Sequence, residues 1–367
     1  MLGSIITAVL ISGAISIILA LFMVIADNTI ANYGEVEITV NDDKKLKVEG
    51  GKPLLKTLMD KEIFIPSACG GRGSCGLCKV KVKNDIGGYL PTELPWINEE
   101  EKKENIRLSC QVKVKQDIQI EIPKEYLYVK EFKAKVKNIR ELTHDIKEVT
   151  LKLIEPEKID FKAGQFIQFE VPEYELCDES VYRAYSIASK PSQKNIIELE
   201  IRFVPNGICT TYIHKHLNEG EIVTINGPYG DFYLRESERE IIFIAGGSGM
   251  APIKSIIADM KEKNIQRKTR YFFGARSKKD LFLTDKMKKF ESELDDFKFI
   301  PALSEPEEDD NWNGETGLIT EVVDNYLDSG ENKEAYLCGS PGMIKACVEI
   351  LTKNGVPENL IYFDEFG

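Results

Sequence analysis

Four cysteines, Cys69, Cys75, Cys78 and Cys110, stand in a spacing that can hold iron. They read C-x5-C-x2-C, with the fourth after 31 intervening residues. A binuclear iron–sulfide centre needs four thiolates from a loop that wraps close around it. The segment Ala68-Cys69-Gly70-Gly71-Arg72-Gly73-Ser74-Cys75-Gly76-Leu77-Cys78 offers three of them among four glycines. Glycine lets backbone N–H groups approach sulfur with no Cβ in the way. Hydrogen bonds of that kind tune the reduction potential of a cluster. A structural zinc site and a disulfide pair are the competing readings. Zinc sites usually show two C-x2-C-like pairs, and here Cys110 stands alone. The spacing differs by one residue from the C-x4-C-x2-C…C pattern of a 2Fe-2S centre, which is the reading it favours. A chain holding such a centre moves single electrons.

Two glycine turns and a strand suggest a second kind of chemistry. Gly246, Gly247, Ser248 and Gly249 follow the apolar run Ile241–Ala245 and precede a helical pattern from Pro252. That is the context a dinucleotide loop requires, without the G-x-G-x-x-G fingerprint. Gly207-Ile208-Cys209-Thr210-Thr211 also follows a strand and opens a helix. Helix-start N–H groups suit phosphate, and a plain helix N-terminus reads the same way. Arg183-Ala184-Tyr185-Ser186 pairs a guanidinium fork, which suits pyrophosphate, with a flat ring that suits stacking. Alone, it is equally an ordinary strand end. Cys338-Gly339-Ser340-Pro341-Gly342-Met343 lies at a strand end before a helix. Cys338 could place a soft, polarizable side chain against a ring system or simply pack. Near the terminus, Phe366 could cover a ring or fill a core.

These residues need elements to hold them. Glu35–Val40 and Leu46–Val48 read as a hairpin around Asn41-Asp42-Asp43. A short helix is expected over Pro53–Asp60, and strands at Lys79–Lys83, Gln111–Val114 and Ile118–Ile122. A small α+β domain with a mixed sheet fits residues 34–123. From residue 128 to 235 six short strands with Gly/Pro punctuation predict an antiparallel barrel, interrupted by a helix at Cys209–Leu217. From 237 to 367 strand and helix alternate. Helices are expected over Pro252–Lys263, Leu281–Leu294 and Pro341–Lys353, giving a parallel, doubly wound sheet.

The first 26 residues contain no charge. Ile5–Ile25 is long enough as a helix to cross a bilayer core. A cleaved signal peptide would need a positive n-region and a shorter apolar core. An uncleaved single-span anchor over 1–26 is expected. The chain carries a formal net charge of −12 and no basic stripe, which excludes nucleic acid as an expected partner. Eight cysteines in 367 residues do not make a disulfide scaffold. Cys177 and Cys347 read as packing residues, and neither His214 nor His216 as a ligand. The acidic run from Glu305 to Asp310 reads as a solvated loop.

Taken in order, the motifs resemble the ferredoxin–NADP reductase superfamily. Arg183, Tyr185 and Ser186 match its R-x-Y-S/T strand. The resemblance implies that Arg183 contacts a flavin phosphate, Tyr185 packs on the isoalloxazine and Ser186 approaches its N5. Gly207, Cys209 and Thr210 fall on its flavin-pyrophosphate turn, and Gly227–Phe232 on the loop that closes its barrel. Gly246–Pro252 resembles its G-G-[ST]-G-x-[AT]-P dinucleotide turn. Cys338 and Gly339 open its C-G-x-P-x-M motif, implying a place beside nicotinamide C4 and flavin N5. Phe366 falls where a terminal aromatic covers the flavin. With the apolar segment and the cysteine domain in front, the whole chain is similar to the F subunits of sodium-translocating NADH:quinone reductases. Tyr271–Ser277 and the Asp-Glu-Phe-Gly ending add to this. One departure is the short interval Glu173–Tyr182 before Arg183.

The resemblance implies FAD, a 2Fe-2S cluster and NADH, integral subunits as partners, and a single-pass location in the inner (plasma) membrane with the soluble domains facing the cytoplasm. Arg276, on physical grounds, would suit the 2′-phosphate of NADPH, and the two expectations conflict. Two alternatives use the same parts: a reductase component of a multicomponent oxygenase, and a non-catalytic membrane-tethered ferredoxin.

Overall fold

The computed structural model describes residues 2–29 and 33–366. The chain divides into two compact units, residues 1–128 and 129–367.

The first unit begins with helix α1 (Leu2–Thr29). Its apolar side chains at Ile6 and from Val9 to Met23 lie exposed. Among the described residues no helix is long and apolar enough to cross a membrane; side chains are described at 6–7 and 9–23 only, so part of the expected anchor lies outside them. The strands are β1 (Glu35–Val40), β2 (Lys44–Glu49), β3 (Lys79–Val82), β4 (Ile106–Leu108) and β5 (Ile118–Glu121), in sheet order β2-β1-β5-β3-β4. The β1–β2 hairpin turns through Asn41 and Asp42, both at positive φ, which these short polar residues tolerate. Helices α2 (Leu54–Met59) and α3 (Glu99–Lys103) accompany the sheet. Asn98 caps α3 in a reciprocal box with Glu101. Ile38, Val40, Leu54, Leu58 and Leu108 are buried in one core with Cys78 and Cys110. The strand expected at Gln111–Val114 is a turn bearing one bridge, Pro53↔Lys113. The N–H groups of Gln111 and Val112 bond back to the Leu108 carbonyl, which takes them out of any ladder.

The second unit opens with β6 (Lys130–Glu141), β7 (Ile146–Glu155), β8 (Phe166–Val171), β9 (Val181–Ser186), β10 (Ile196–Arg202), helix α4 (Ile208–Lys215) and β11 (Ile222–Tyr229). The antiparallel sheet runs β10-β7-β6-β11-β8-β9. The expected closed barrel is only partly made, because β9 and β10 meet at a single bridge, Ile187↔Leu199. The remainder comprises β12 (Glu240–Gly246), α5 (Met250–Glu262), β13 (Thr269–Ala275), α6 (Thr284–Glu293), β14 (Phe297–Leu303), β15 (Glu315–Thr316), α7 (Ile319–Tyr326), β16 (Lys333–Gly339), α8 (Pro341–Lys353) and β17 (Ile361–Glu365). All pairings in this sheet are parallel, in order β15-β14-β13-β12-β16-β17. The chain builds outward on one side of β12 and then crosses to β16 on the other. Such a reversal leaves a crevice at the carboxyl ends of the two central strands, where open α/β sheets bind ligands.

Helix α5 is tied to β7 and β10 by a buried cation. Lys254 is 1% exposed and lies 2.7 Å from Glu200, 3.2 Å from Glu148 and 3.2 Å from Glu198. Beside it the Ser255 hydroxyl donates to the Ser189 carbonyl at 2.6 Å. The dinucleotide-type turn at the head of α5 is thus held by its own helix against the six-stranded sheet.

Candidate functional site

The cysteine loop places its sulfurs in two pairs. Cys69 and Cys75 are 3.4 Å apart at Sγ, and Cys78 and Cys110 interact as the second pair. All four are free thiols. Within each pair one thiol is held down and the other pushed up by the hydrogen bond between them: Cys69 and Cys110 fall below the usual range, while Cys75 and Cys78 rise, burial adding to the rise. Backbone N–H groups of Arg72 and Ser74 reach Cys69, that of Leu77 reaches Cys75 and that of Gly73 reaches Cys110. Gly73 (φ +74°) and Gly76 (φ +68°) make this wrapping possible. A Cβ on Gly76 would meet the Trp96 ring at 2.8 Å, so both its conformation and its space call for glycine. Among the described residues, no group of three or more His, Cys, Asp or Glu could hold one metal ion. Two thiol pairs, each with amide donors, fit a binuclear centre with one pair for each iron.

In the second unit the crevice between β12 and β16 gathers residues from four segments. Ala245 and Cys338 are the last register partners of β12 and β16, so Gly246 and Gly339 end their strands side by side. A Cβ on Gly249 would fall 2.2 Å from the Cys338 carbonyl oxygen, a contact only glycine permits. Cys338 is fully buried, and burial first, then the neighbouring Asp364 charge, push its thiol well above the usual range. It is a neutral, soft side chain. Strand β17 places Asp364 beside Cys338 in register, and the Phe366 N–H donates to the Gly339 carbonyl at 2.8 Å. The Ser186 hydroxyl at the end of β9 donates to Asp364 Oδ2 at 3.5 Å. Burial raises the Asp364 carboxyl to about 6 against the opposing pull of Ser186. Gly247 lies next to Arg202, whose Nη1 would be 3.5 Å from a Cβ there. Ser248 is half-buried within the same turn.

The other expected site residues lie on β9 and at the start of α4. Tyr185 is half-buried, edge-on to Phe169 at 6.5 Å, and desolvation raises its phenol. Arg183 spends one donor on the Tyr182 carbonyl at 2.8 Å. Gly207 is the N-cap of α4. Thr210 turns its hydroxyl back to the Val204 and Gly207 carbonyls. The Cys209 side chain is buried in the core of the antiparallel sheet and is turned away from any ligand at the helix start. An aromatic ring, a guanidinium and a helix start on adjoining segments are a donor set suited to a flavin nucleotide. Sequence reading gave no role to Asp364, although it opens the Asp-Glu-Phe-Gly ending, or to Arg202, which sits in no motif; their partners are remote in sequence.

Residues 38–115 match the 2Fe-2S iron-sulfur cluster binding domain, 133–233 the oxidoreductase FAD-binding domain and 243–349 the oxidoreductase NAD-binding domain. Over the full length, the F subunit of the Na(+)-translocating NADH-quinone reductase of Mannheimia succiniciproducens is 39% identical across 96% of this chain and 97% of its own. The corresponding F subunit of Neisseria meningitidis serogroup B is 38% identical with the same coverage. The chain belongs to this family of F subunits. As a member it is an oxidoreductase that carries NAD-, FAD- and 2Fe-2S-binding domains. The alignment with the first of these relatives runs over 396 positions, more than the 367 residues here, so that relative has segments this chain lacks. Among solved structures, Amycolatopsis cytochrome P450 reductase GcoB has the same fold, with TM-score 0.73 and 24% identity over 90% of this chain and 98% of its own. The ferredoxin reductase in carbazole 1,9a-dioxygenase matches with TM-score 0.69 and 27% identity over 91% and 98%.

Proposed function

We propose that this chain is the electron-input subunit of a membrane-bound NADH:quinone reductase of the sodium-translocating type. The observation that carries this is the meeting of Cys338, Gly339, Ser186, Asp364 and Phe366 at one strand-end crevice, in a chain whose other unit pairs four thiols under backbone amides. When bound, FAD accepts hydride from NADH and the 2Fe-2S centre carries electrons singly. The residues have distinct tasks. Arg183 and the start of α4 after Gly207 would hold the flavin phosphates, and Tyr185 would offer its ring for stacking. Gly246–Gly249 admit the dinucleotide backbone close to the start of α5. Cys338 fills the crevice with a neutral side chain and excludes water. Phe366, packed at the edge of the core, would cover a ring face of a bound flavin and yield it to nicotinamide. Asp364 Oδ2 accepts from the Ser186 hydroxyl, and the carboxyl takes up a proton as pH falls through about 6. In the first unit, the amides of Arg72, Gly73, Ser74 and Leu77 neutralise charge on the sulfurs.

The unit boundaries at 34–123, 128–235 and 237–367 belong to the same reading, as does an anchor over 1–26. A helix the length of α1 spans roughly 42 Å against a hydrocarbon core of about 30 Å. Its Ser12 and Ser16 hydroxyls bond back to the carbonyls of Val9 and Ser12, which lowers the cost of placing them in lipid. The soluble units would face the cytoplasm, where NADH is made, and integral subunits would receive the electrons. Gentle detergent purification tests the assignment: recovery with integral subunits is expected, and recovery with a soluble oxygenase would overturn it.

Two further outcomes follow from the crevice. Cys338→Ala should slow flavin bleaching by NADH at least about tenfold, with the cluster absorbance intact; unchanged kinetics would remove Cys338 from the site. Asp364 keeps its proton below about pH 6 and becomes an anion above it. A carboxylate beside the ring opposes the arrival of negative charge. Stopped-flow hydride transfer should therefore decline as pH rises through about 6, and Asp364→Asn should flatten that limb. A parent profile already flat there would dismiss the role.

A further inference from the structure

In a doubly wound sheet, the strand beside the glycine-turn strand ends where the adenosine ribose is read. An acidic residue there favours a free 2′-hydroxyl, and an arginine favours a 2′-phosphate. That strand is β13, which pairs along β12 from Ile241↔Thr269 to Gly246↔Gly274. It ends at Ala275, and Arg276 follows. Sequence alone therefore points to NADPH at this position.

The neighbouring strand changes the result. Strand β14 pairs with β13 up to Ala275↔Leu303. Pairing continues past the strand ends: the Ser304 N–H donates to the Ala275 carbonyl at 3.0 Å, and the Glu305 N–H to the Arg276 carbonyl at 2.7 Å. Glu305 is thus fixed opposite Arg276 by the backbone, and its carboxylate takes the Arg276 Nε at 2.7 Å. The next two cations are taken the same way. Lys279 pairs with Glu307 at 3.1 Å, and the Lys278 ammonium donates to the Asp310 carbonyl. Ser277, a further donor at this corner, gives both its N–H and its hydroxyl to Asp280 Oδ2 at 2.9 and 3.0 Å. Segment 305–310 carries five carboxylates against the three cations of 276–279.

We propose that Glu305, held across from Arg276 by the β13–β14 register, makes this crevice select NADH over NADPH. It occupies the guanidinium that a 2′-phosphate would need and sets a like charge beside it. An exposed ion pair is weak, but the exclusion does not depend on the pair staying closed. If Arg276 swings free, Glu305 and its acidic neighbours still repel a dianion, while a neutral ribose diol meets acceptors. The acidic loop is then a selectivity strap rather than solvated filler. This rests on the crevice binding a pyridine nucleotide, as proposed above.

The test uses the full chain in detergent with Glu305→Gln. Calorimetric titration with 2′,5′-ADP and with 5′-AMP reads the discrimination without the flavin. The ratio of their affinities should move toward 2′,5′-ADP by roughly tenfold, the size of one surface charge contact. The NADPH/NADH ratio of kcat/KM for flavin reduction should move in the same direction. Adding Arg276→Ala to Glu305→Gln should remove most of the gain, because the freed guanidinium supplies the attraction and only the relief of repulsion is left. A ratio that stays put in Glu305→Gln, or a gain undiminished by loss of Arg276, overturns the inference. Failure of the parent protein to be reduced by NADH would instead overturn the underlying function, and is seen before any variant is made.

Discussion

Cys110→Ser should abolish the EPR signal of a reduced binuclear centre and leave NADH-driven flavin bleaching in place. Cys110 arrives just past β4, far in sequence from the other three sulfurs, and completes the pair with Cys78. A serine oxygen is a hard, weakly acidic donor, whereas iron–sulfur centres select soft thiolate. Its amide neighbours, Gly73 above all, are placed for a charged sulfur and would face a neutral hydroxyl. Electron delivery to a one-electron acceptor should fall at least about a hundredfold, the upper range for losing even a supporting group around a metal. The hydride half-reaction is expected to survive because the second unit has cores of its own, separate from the one that contains Cys78 and Cys110. Folding of the first unit is held independently by the buried Arg107–Glu93 pair at 2.7 Å and by the β1–β5 core, so circular dichroism should separate cluster loss from collapse. A full cluster signal in Cys110→Ser would remove the fourth ligand from this assignment.

The parts of the site that were legible in the sequence are those whose chemistry demands local spacing. A cluster loop must bring three sulfurs close along the chain, and a dinucleotide turn must follow a strand and open a helix. Both patterns survive in a single sequence. Asp364 was illegible for the opposite reason. Its partner Ser186 is 178 residues away, and its edge strand Ile361-Tyr362-Phe363-Asp364-Glu365 ends on two acidic residues like any surface segment. Glu305 was read as part of a solvated loop because only the β13–β14 register reveals the cation opposite. Helix α7 was passed over as well: Ile319-Thr320-Glu321-Val322-Val323 is rich in β-branched residues, and it is helical because Ile319, Val322 and Val323 bury one face. Tertiary burial overrides propensity in so short an element. The six-stranded sheet followed the expected punctuation, but the extent of its closure depends on one bridge that no local signal encodes.

Lys254→Met should be the most destabilising single change in the second unit. In sequence Lys254 looks like a solvated position on an amphipathic helix, yet it is one of the largest fully buried side chains. Burial works to lower its pKa, but Glu200, Glu198 and Glu148 together outweigh this and raise it, so the ammonium stays charged. Glu200 is buried without aligned hydrogen bonds, its contact with Lys254 being a close ion pair. Burial raises Glu200 as well, with Lys254 pulling the other way. Glu148 retains Arg140 at 2.9 Å, and Glu198 is partly exposed, so the residue left stranded by Lys254→Met is Glu200. Breaking one side of a buried pair costs about 3–5 kcal/mol. For a unit of this size that corresponds to a fall in Tm of roughly 6–20 °C. The pH dependence gives a sharper check. A carboxyl whose folded pKa is raised contributes stability that is complete below the ordinary glutamate range and disappears as pH climbs through the folded value. Removing Lys254 raises Glu200 further, so the penalty should be larger at pH 8 than at pH 5. Lys254→Met with Glu200→Gln should recover part of the loss and most of that pH dependence, since the amide needs no proton to stay neutral. A penalty independent of pH, or no recovery in the double variant, would mean that Lys254 acts by filling space rather than by compensating charge, and that the hold of α5 on the six-stranded sheet is apolar.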